Sequence, residues 1–456
     1  MAPSSEQELA LDIGEGLTMA AIAWGDATAA TRCLCVHGWM DNAGSFGNAA
    51  CRAFADEAAA ADGLGARLAR QLGAYVVACD LLGHGRSSHL PGGLYSNTGW
   101  ATQLLKFADC LGWSSPFVLI GHSMGQEIAS MLAAAFPERI SAFVMLDGCG
   151  PWVPDEEQRE EWGGPSHTAD ALRGSILNWQ KRDGHHATPR AFESYEDVLS
   201  ARLENKFSEV GITRHAAAAM VRRGIRDKEG AEGAMIEYTH DPRVANELEV
   251  NRITEEQVCE LVTRLPRSLC VMAQAGIGES ESDAGAESDT PVKRFLRNRR
   301  HVFRDLEVEW VPGGHHAHLD TPGPIADAVT RFVHQQAEQA LGSLVAKKFF
   351  RCKWSQPWRR DGGRRQEAGV VAAGLLVPLA RPHIQQVAAK RRQPSRGAGP
   401  EELELVRLLR LVSHNPCAVH PTASGARCVD RAAVQCRTVE DKHLQHPFST
   451  RSELLR

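Results

Sequence analysis

From about Leu9 to Asp147 the chain alternates short apolar runs with helical stretches, and no other feature restricts its fold more. Strands joined through helices lie parallel, because a parallel pair needs a crossover of a dozen or more residues, and those helices then cover both faces of the sheet. The expected strands are Cys33–Val36, Ala74–Cys79, Phe117–Ile120 and Ala142–Leu146, with helices over about Trp100–Leu111 and Gly125–Phe136. The second helix stops before Pro137, whose ring disfavours helical backbone in the preceding residue.

The pattern breaks at Gly148. From there to about Val262, charged, Ala-rich and aromatic segments such as Ala201–Glu209 and His215–Arg223 predict short amphipathic helices and no strand. Strands resume at Ser268–Met272 and Val308–Val311, followed by a helix from about Pro324 to Ala337. The chain is thus expected to hold an α/β core over 8–147, an inserted helical cap over 148–262, the rest of the core over 263–340, and an extension over 341–456. Gly276–Thr290, dense in Gly, Glu, Ser and Asp, reads as an exposed loop.

Charge and cysteine usage decide two further points. Residues 337–456 hold 21 Lys and Arg against 10 Asp and Glu, whereas the remainder holds 30 against 46. An acidic core argues against nucleic acid as the partner of the main domain. The basic tail lacks sustained periodicity and is expected to be largely disordered, with an RNA- or membrane-surface module as the rival reading. The 12 cysteines form no C-x-x-C pair, and Cys33, Cys35, Cys79 and Cys270 fall in apolar runs, so they read as reduced core residues of a cytoplasmic protein. No basic-then-apolar leader opens the chain, and the longest apolar run of the tail, Gly369–Leu379, is too short to cross a bilayer.

Directly after Phe117–Ile120, and directly before a helix, stands Gly121-His122-Ser123-Met124-Gly125. Glycines flanking a serine in a strand-turn-helix setting let the backbone turn sharply and lift the hydroxyl above the sheet at a helix N-terminus. That setting makes Ser123 the expected nucleophile, where a bare G-x-S-x-G would be only a tight turn. A serine hydroxyl needs a base, and Val311-Pro312-Gly313-Gly314-His315-His316-Ala317-His318 supplies three histidines after the last strand. His315, at the strand exit, is the expected base, and His316 and His318 read as loop residues. No H-E-x-x-H accompanies them, so no metal is expected.

The carboxylate that orients the imidazole has two possible homes. Asp147, which ends the strand after the elbow helix, is preferred, while Glu279, Glu281 and Asp283 on the acidic loop stay open. The competing role for Asp147 is to cap backbone amides. Acyl transfer also needs donors for the oxyanion: the Met124 amide is one, and the Trp39 amide in His37-Gly38-Trp39 is the natural second. His37, Gly38 and His122 are the expected binding residues beside them. The loop Asp80–Ser87 lacks the spacing of a dinucleotide site and reads as structural, so no cofactor is expected.

The elbow, Ala23-Trp24-Gly25, the run His37–Phe46, the Asp80–Ser87 loop, Arg223-Gly224, His240-Asp241-Pro242-Arg243 and Gly314-His315 together carry a resemblance. Over residues 8–335 the chain resembles the α/β-hydrolase superfamily and, within it, the serine hydrolase-like (Kraken-like) proteins. The resemblance implies an α/β-hydrolase fold: a mostly parallel eight-stranded sheet, helices on both faces and a helical lid. It also implies cleavage of a small-molecule ester, thioester or related acyl compound through a Ser-His-Asp triad and an acyl-enzyme. Serine at 123 stands against the aspartate-nucleophile chemistry of dehalogenases and epoxide hydrolases. Gln126 departs from the glycine that commonly continues the elbow, residues 47–73 are longer and richer in alanine than the usual connection, and the tail has no counterpart. The rival expectation is a non-catalytic protein that uses the capped pocket for small-molecule binding, with Trp152, Trp162 and Trp179 as core residues.

Overall fold

A computed structural model of the chain describes residues 6–47, 62–153, 188–204, 211–228, 235–245, 253–276 and 296–337, with short pieces between 173 and 180. All belong to the first of two units, residues 1–360; the second spans 361–456. The extension expected to be disordered, the acidic alternatives Glu279, Glu281 and Asp283, and Trp162 and Trp179 lie outside the described residues.

The first part of the chain builds β1 (Gln7–Asp12), β2 (Thr18–Trp24), β3 (Arg32–Val36), α1 (Leu64–Leu72), β4 (Tyr75–Cys79) and α2 (Asn97–Cys110). The elbow follows, as β5 (Phe117–His122) and α3 (Met124–Ala135), and then β6 (Ile140–Leu146). The inserted stretch holds β7 (Ala191–Phe192), α4 (Tyr195–Glu204), α5 (Arg214–Arg223), β8 (Ile225–Asp227) and β9 (Ile236–Tyr238). The chain returns to the core through α6 (Glu255–Arg264), β10 (Ser268–Ala275), β11 (Leu306–Gly314), the short α7 (Ala317–Asp320) and α8 over residues 322–337.

Among the described residues eight strands form one sheet in the order β1-β2-β4-β3-β5-β6-β10-β11. β2 runs antiparallel to both neighbours, and every other pair is parallel. The central strands are apolar on both sides because both sides are covered. In β4, for example, Tyr75, Val77 and Cys79 pack with α2, α3 and α6 on one face, while Val76 and Ala78 pack with α1 and α8 on the other. The cysteines of these strands are free and buried, and burial pushes the Cys33 thiol up to about 12.

One expectation is corrected. The inserted stretch is not wholly helical: β7, β9 and β8 pair there as a small antiparallel sheet, with strands of two or three residues, too short to show alternation in sequence. The helix expected from Ala201 begins at Tyr195. The sheet also extends past the expected strands through β1 and β2, and β1 is an edge strand whose residues are largely exposed, which leaves little apolar signal.

Candidate active site

Ser123 stands between β5 and α3 with φ 52° and ψ −126°, backbone that side chains other than glycine rarely adopt. The flanking glycines are what make the turn possible. A Cβ on Gly121 would lie 2.4 Å from the Gln126 Cα, and one on Gly125 would lie 2.4 Å from the carbonyl oxygens of Val36 and His37. The elbow is therefore pressed against the end of β3. Its own backbone is anchored by Ser123 N–H donating to the Leu146 carbonyl (3.1 Å). Ser123 is half-buried, and Met124 opens α3 as a buried residue.

Asp147 follows β6, also in the left-handed region with φ 49°. Its amide donates to the Val271 carbonyl (2.8 Å), and its Oδ1 accepts from the Ala273 amide (3.1 Å), so the residue leans toward β10. Oδ2 lies 2.6 Å from His315 Nδ1. A carboxylate only accepts, so Nδ1 donates the proton of this hydrogen bond. Space for this carboxylate exists because position 276 has no side chain: a Cβ there would lie 2.2 Å from Asp147 Oδ1.

The ring of His122, next to Ser123 in the chain, joins the two halves. Its Nε2 donates to the His315 carbonyl (2.9 Å), and the two ring centroids are 4.7 Å apart. A Cβ on Gly38 would meet His122 Nδ1 at 3.0 Å and Ser123 Cβ at 3.1 Å, so the loop after β3 lies directly on the elbow. Ser123, Asp147, His315, His122 and Gly38 thus gather beyond the carboxyl ends of β3, β5, β6 and β11, the edge where open α/β sheets bind ligands.

His37 is engaged inside its own loop. Its Nδ1 donates to the Gly38 carbonyl (2.7 Å) and its Nε2 accepts from the Leu81 amide (3.0 Å). Trp39 and Met40 are half-buried and line a cavity of about 350 Å3, together with Asp41, Arg202, Met220 and Tyr238. Ser123 and His315 are not part of that lining.

Sequence reasoning missed the buried charge in this loop. Asp41 is 2% exposed and pairs with Arg202 of α4, while His316 Nε2 stands 3.4 Å and His122 Nδ1 3.8 Å from its Oδ2. Burial would raise its carboxyl, but the charge of Arg202, aided by His316, holds it well below the usual carboxylate range. Asp41, the one acidic residue in the run His37–Phe46, is the one local sign of it. Gln126, the departure from the usual elbow, also has a role: its Oε1 accepts from the Gly150 amide (2.8 Å) and its Nε2 donates to the Gly150 carbonyl (3.0 Å), which pins the loop carrying Asp147. Among the described residues no cluster of His, Cys, Asp and Glu is arranged to hold a metal ion, and no helix is long and apolar enough to cross a membrane.

Comparison with known proteins agrees with this geometry at the level of family. The α/β hydrolase fold family matches residues 34–217. A serine hydrolase-like protein of Dictyostelium discoideum is 25% identical over 341 residues, covering 74% of this chain and 84% of that protein. Another from Danio rerio is 26% identical over 306 residues, covering 67% of this chain and 82% of its own. A hypothetical protein of Pseudomonas aeruginosa PAO1 has a crystal structure that superposes with a TM-score of 0.55 at 26% identity, over 73% of this chain and 99% of that one. The thioesterase domain of the curacin biosynthetic pathway shares the fold, with a TM-score of 0.52 at 18% identity, over 72% of this chain and 99% of that domain. With its elbow, sheet order and relatives in agreement, this chain has the α/β-hydrolase fold and is similar in sequence to serine hydrolase-like proteins.

Proposed function

We propose that this hydrolase cleaves a carboxylic ester, a thioester or a related acyl compound of small size, through Ser123, His315 and Asp147. The observation that carries the reading is the 2.6 Å contact between His315 Nδ1 and Asp147 Oδ2, formed beside a serine on a strained strand-to-helix turn. With Nδ1–H held by Asp147, His315 Nε2 is the nitrogen that acts as base. It takes the Ser123 Oγ proton as Oγ attacks the substrate carbonyl. The negative oxygen then develops at the start of α3, where the Met124 amide and the helix dipole favour it, with the Trp39 amide as the second donor. Imidazolium protonates the leaving group, the acyl group stays on Oγ, and water activated by the same ring releases it. The inserted stretch that follows β6 acts as a cap over this edge, and the cavity beside Trp39 is the expected substrate space.

A fluorophosphonate probe should label the wild-type protein and fail to label Ser123→Ala. A panel of chromogenic esters and thioesters of graded chain length, run on the same two proteins, then gives the acyl preference. Equal labelling would remove Ser123 from the reaction. Ligand-dependent stabilisation without turnover, unchanged in His315→Ala, would instead identify a binding protein on this fold. Asp147→Asn should lower kcat by as much as about 10⁴-fold, since an amide no longer fixes the imidazole tautomer.

A further inference from the structure

The loop His37–Asn42 bears the Trp39 amide proposed as an oxyanion donor; it is held by Leu81 N–H at His37 and lies on the elbow at Gly38. Its turn closes through Asp41 N–H donating to the Gly38 carbonyl (3.2 Å), and its far end is tied by Asn42 Nδ2 to the Met220 carbonyl of α5 (2.9 Å). Between these ties lies a carboxylate taken out of water, a state that lasts only while a positive partner remains beside it. That partner is Arg202, on α4 of the inserted stretch, which also lines the cavity next to Trp39 and Met40. The other neighbours of Asp41 Oδ2 are equally telling. His122 precedes Ser123, His316 follows His315, and a Cβ on Gly38 would sit 3.4 Å from this oxygen. The His122 ring donates through Nε2, so its bare Nδ1 faces Oδ2 and cannot satisfy it; the cation, Arg202, donates to the other oxygen, Oδ1.

We propose that Asp41 is a positioning residue of the acyl-transfer site, clamped by Arg202 so that the inserted stretch holds the Trp39 loop in its oxyanion-binding shape. The inference rests on the acyl-transfer reading given above. Asp41 touches no reacting atom in this scheme; it acts through the loop that bears Trp39 and through the two histidines that flank nucleophile and base. A substrate filling the cavity then meets a wall, Arg202 and Trp39, whose two sides are locked to each other by charge.

The test uses the full chain and compares Asp41→Asn, Arg202→Gln, Arg202→Lys and the double variant Asp41→Asn/Arg202→Gln. Active sites are counted by fluorophosphonate labelling, and kcat is expressed per labelled site. Asp41→Asn and Arg202→Gln should each lower kcat per site by about 10-fold or more while KM moves less than about threefold, as expected for misplaced oxyanion donors. The double variant should be no worse than the poorer single one, because both remove the same contact, and Arg202→Lys should recover part of the loss. A purely structural pair would reduce the number of labelled sites and leave each site turning over at the wild-type rate, which overturns the proposal. Should Asp41→Asn fail to fold, the two Arg202 variants decide by the same criterion. Turnover by Ser123→Ala is a separate observation: it would overturn the acyl-transfer reading, and this inference with it.

Discussion

Three of the four non-glycine residues with positive φ among the described residues are Met40, Ser123 and Asp147, each just beyond the end of a parallel strand. Such backbone costs about 1–3 kcal/mol per residue and persists where the surroundings enforce it, which is the usual state of a site rather than of a scaffold. The enforcement can be tested one atom at a time. Gly276→Ala should push the Asp147 carboxylate from His315 and lower kcat by about 10- to 100-fold. An unchanged kcat would mean that the carboxylate has another place to sit. Gln126→Ala leaves the Gly150 amide and carbonyl unpaired and should cost about 1–3 kcal/mol in a urea unfolding series. At this scale the sequence is uneven to read. The signature around Ser123 lies within five consecutive residues, whereas Asp147 and His315 are 168 positions apart and meet only in the fold. Gln126 and Asp41 are harder still, since their partners, Gly150 and Arg202, carry no motif that points back to them.

At the scale of elements, the motifs that seemed to lack a chemical role gather where the inserted stretch meets the sheet. Arg223, at the end of α5, donates through Nε to both oxygens of Asp80 (3.0 and 2.9 Å) and through Nη1 to Glu8 of β1. Asp241 accepts from the Tyr95 hydroxyl (2.7 Å) and from Arg243, and its amide donates to the Gly83 carbonyl (2.8 Å). The insertion is therefore fastened by buried charges as well as by apolar contact. Arg223→Ala would leave Asp80, fully buried, without its cation, and should destabilise the protein by about 3–5 kcal/mol; a midpoint unchanged in urea would refute that role. Strands with long apolar runs were legible from residues alone, as β3, β4, β5 and β6 attest. β7, β8 and β9 were not, because pairing decides their form and a run of two or three residues has no period of its own.

For the molecule as a whole, burial of imidazole sets the response to acid. Burial lowers His37, His84 and His122, takes His240 down to about 4 and takes His318 down to about 3, from an ordinary value of 6.5. An unfolded chain protonates these rings near 6.5 while the folded one keeps them neutral, so the unfolded state binds more protons and stability falls as pH drops below that point. The loss continues until each folded value is reached, at about 1.4 kcal/mol per pH unit for each ring involved. Asp41 works in a lower window: its depressed carboxyl lends stability above the ordinary carboxylate range and loses it only as pH falls through the folded value. The urea midpoint should thus decline steeply from pH 7 to pH 5, and a flat profile would contradict the buried neutral histidines. The α/β class was visible in sequence, because it depends on long periodic runs; the sheet order was not, since it is a property of contacts. That order has a consequence for birth on the ribosome. β6 finishes at Leu146, but its neighbour β10 starts only at Ser268, so translation leaves one sheet edge open for on the order of ten seconds. The nascent chain carries Ser123 long before His315 has been synthesised, and it passes through that interval with its elbow made and its proposed base still to come.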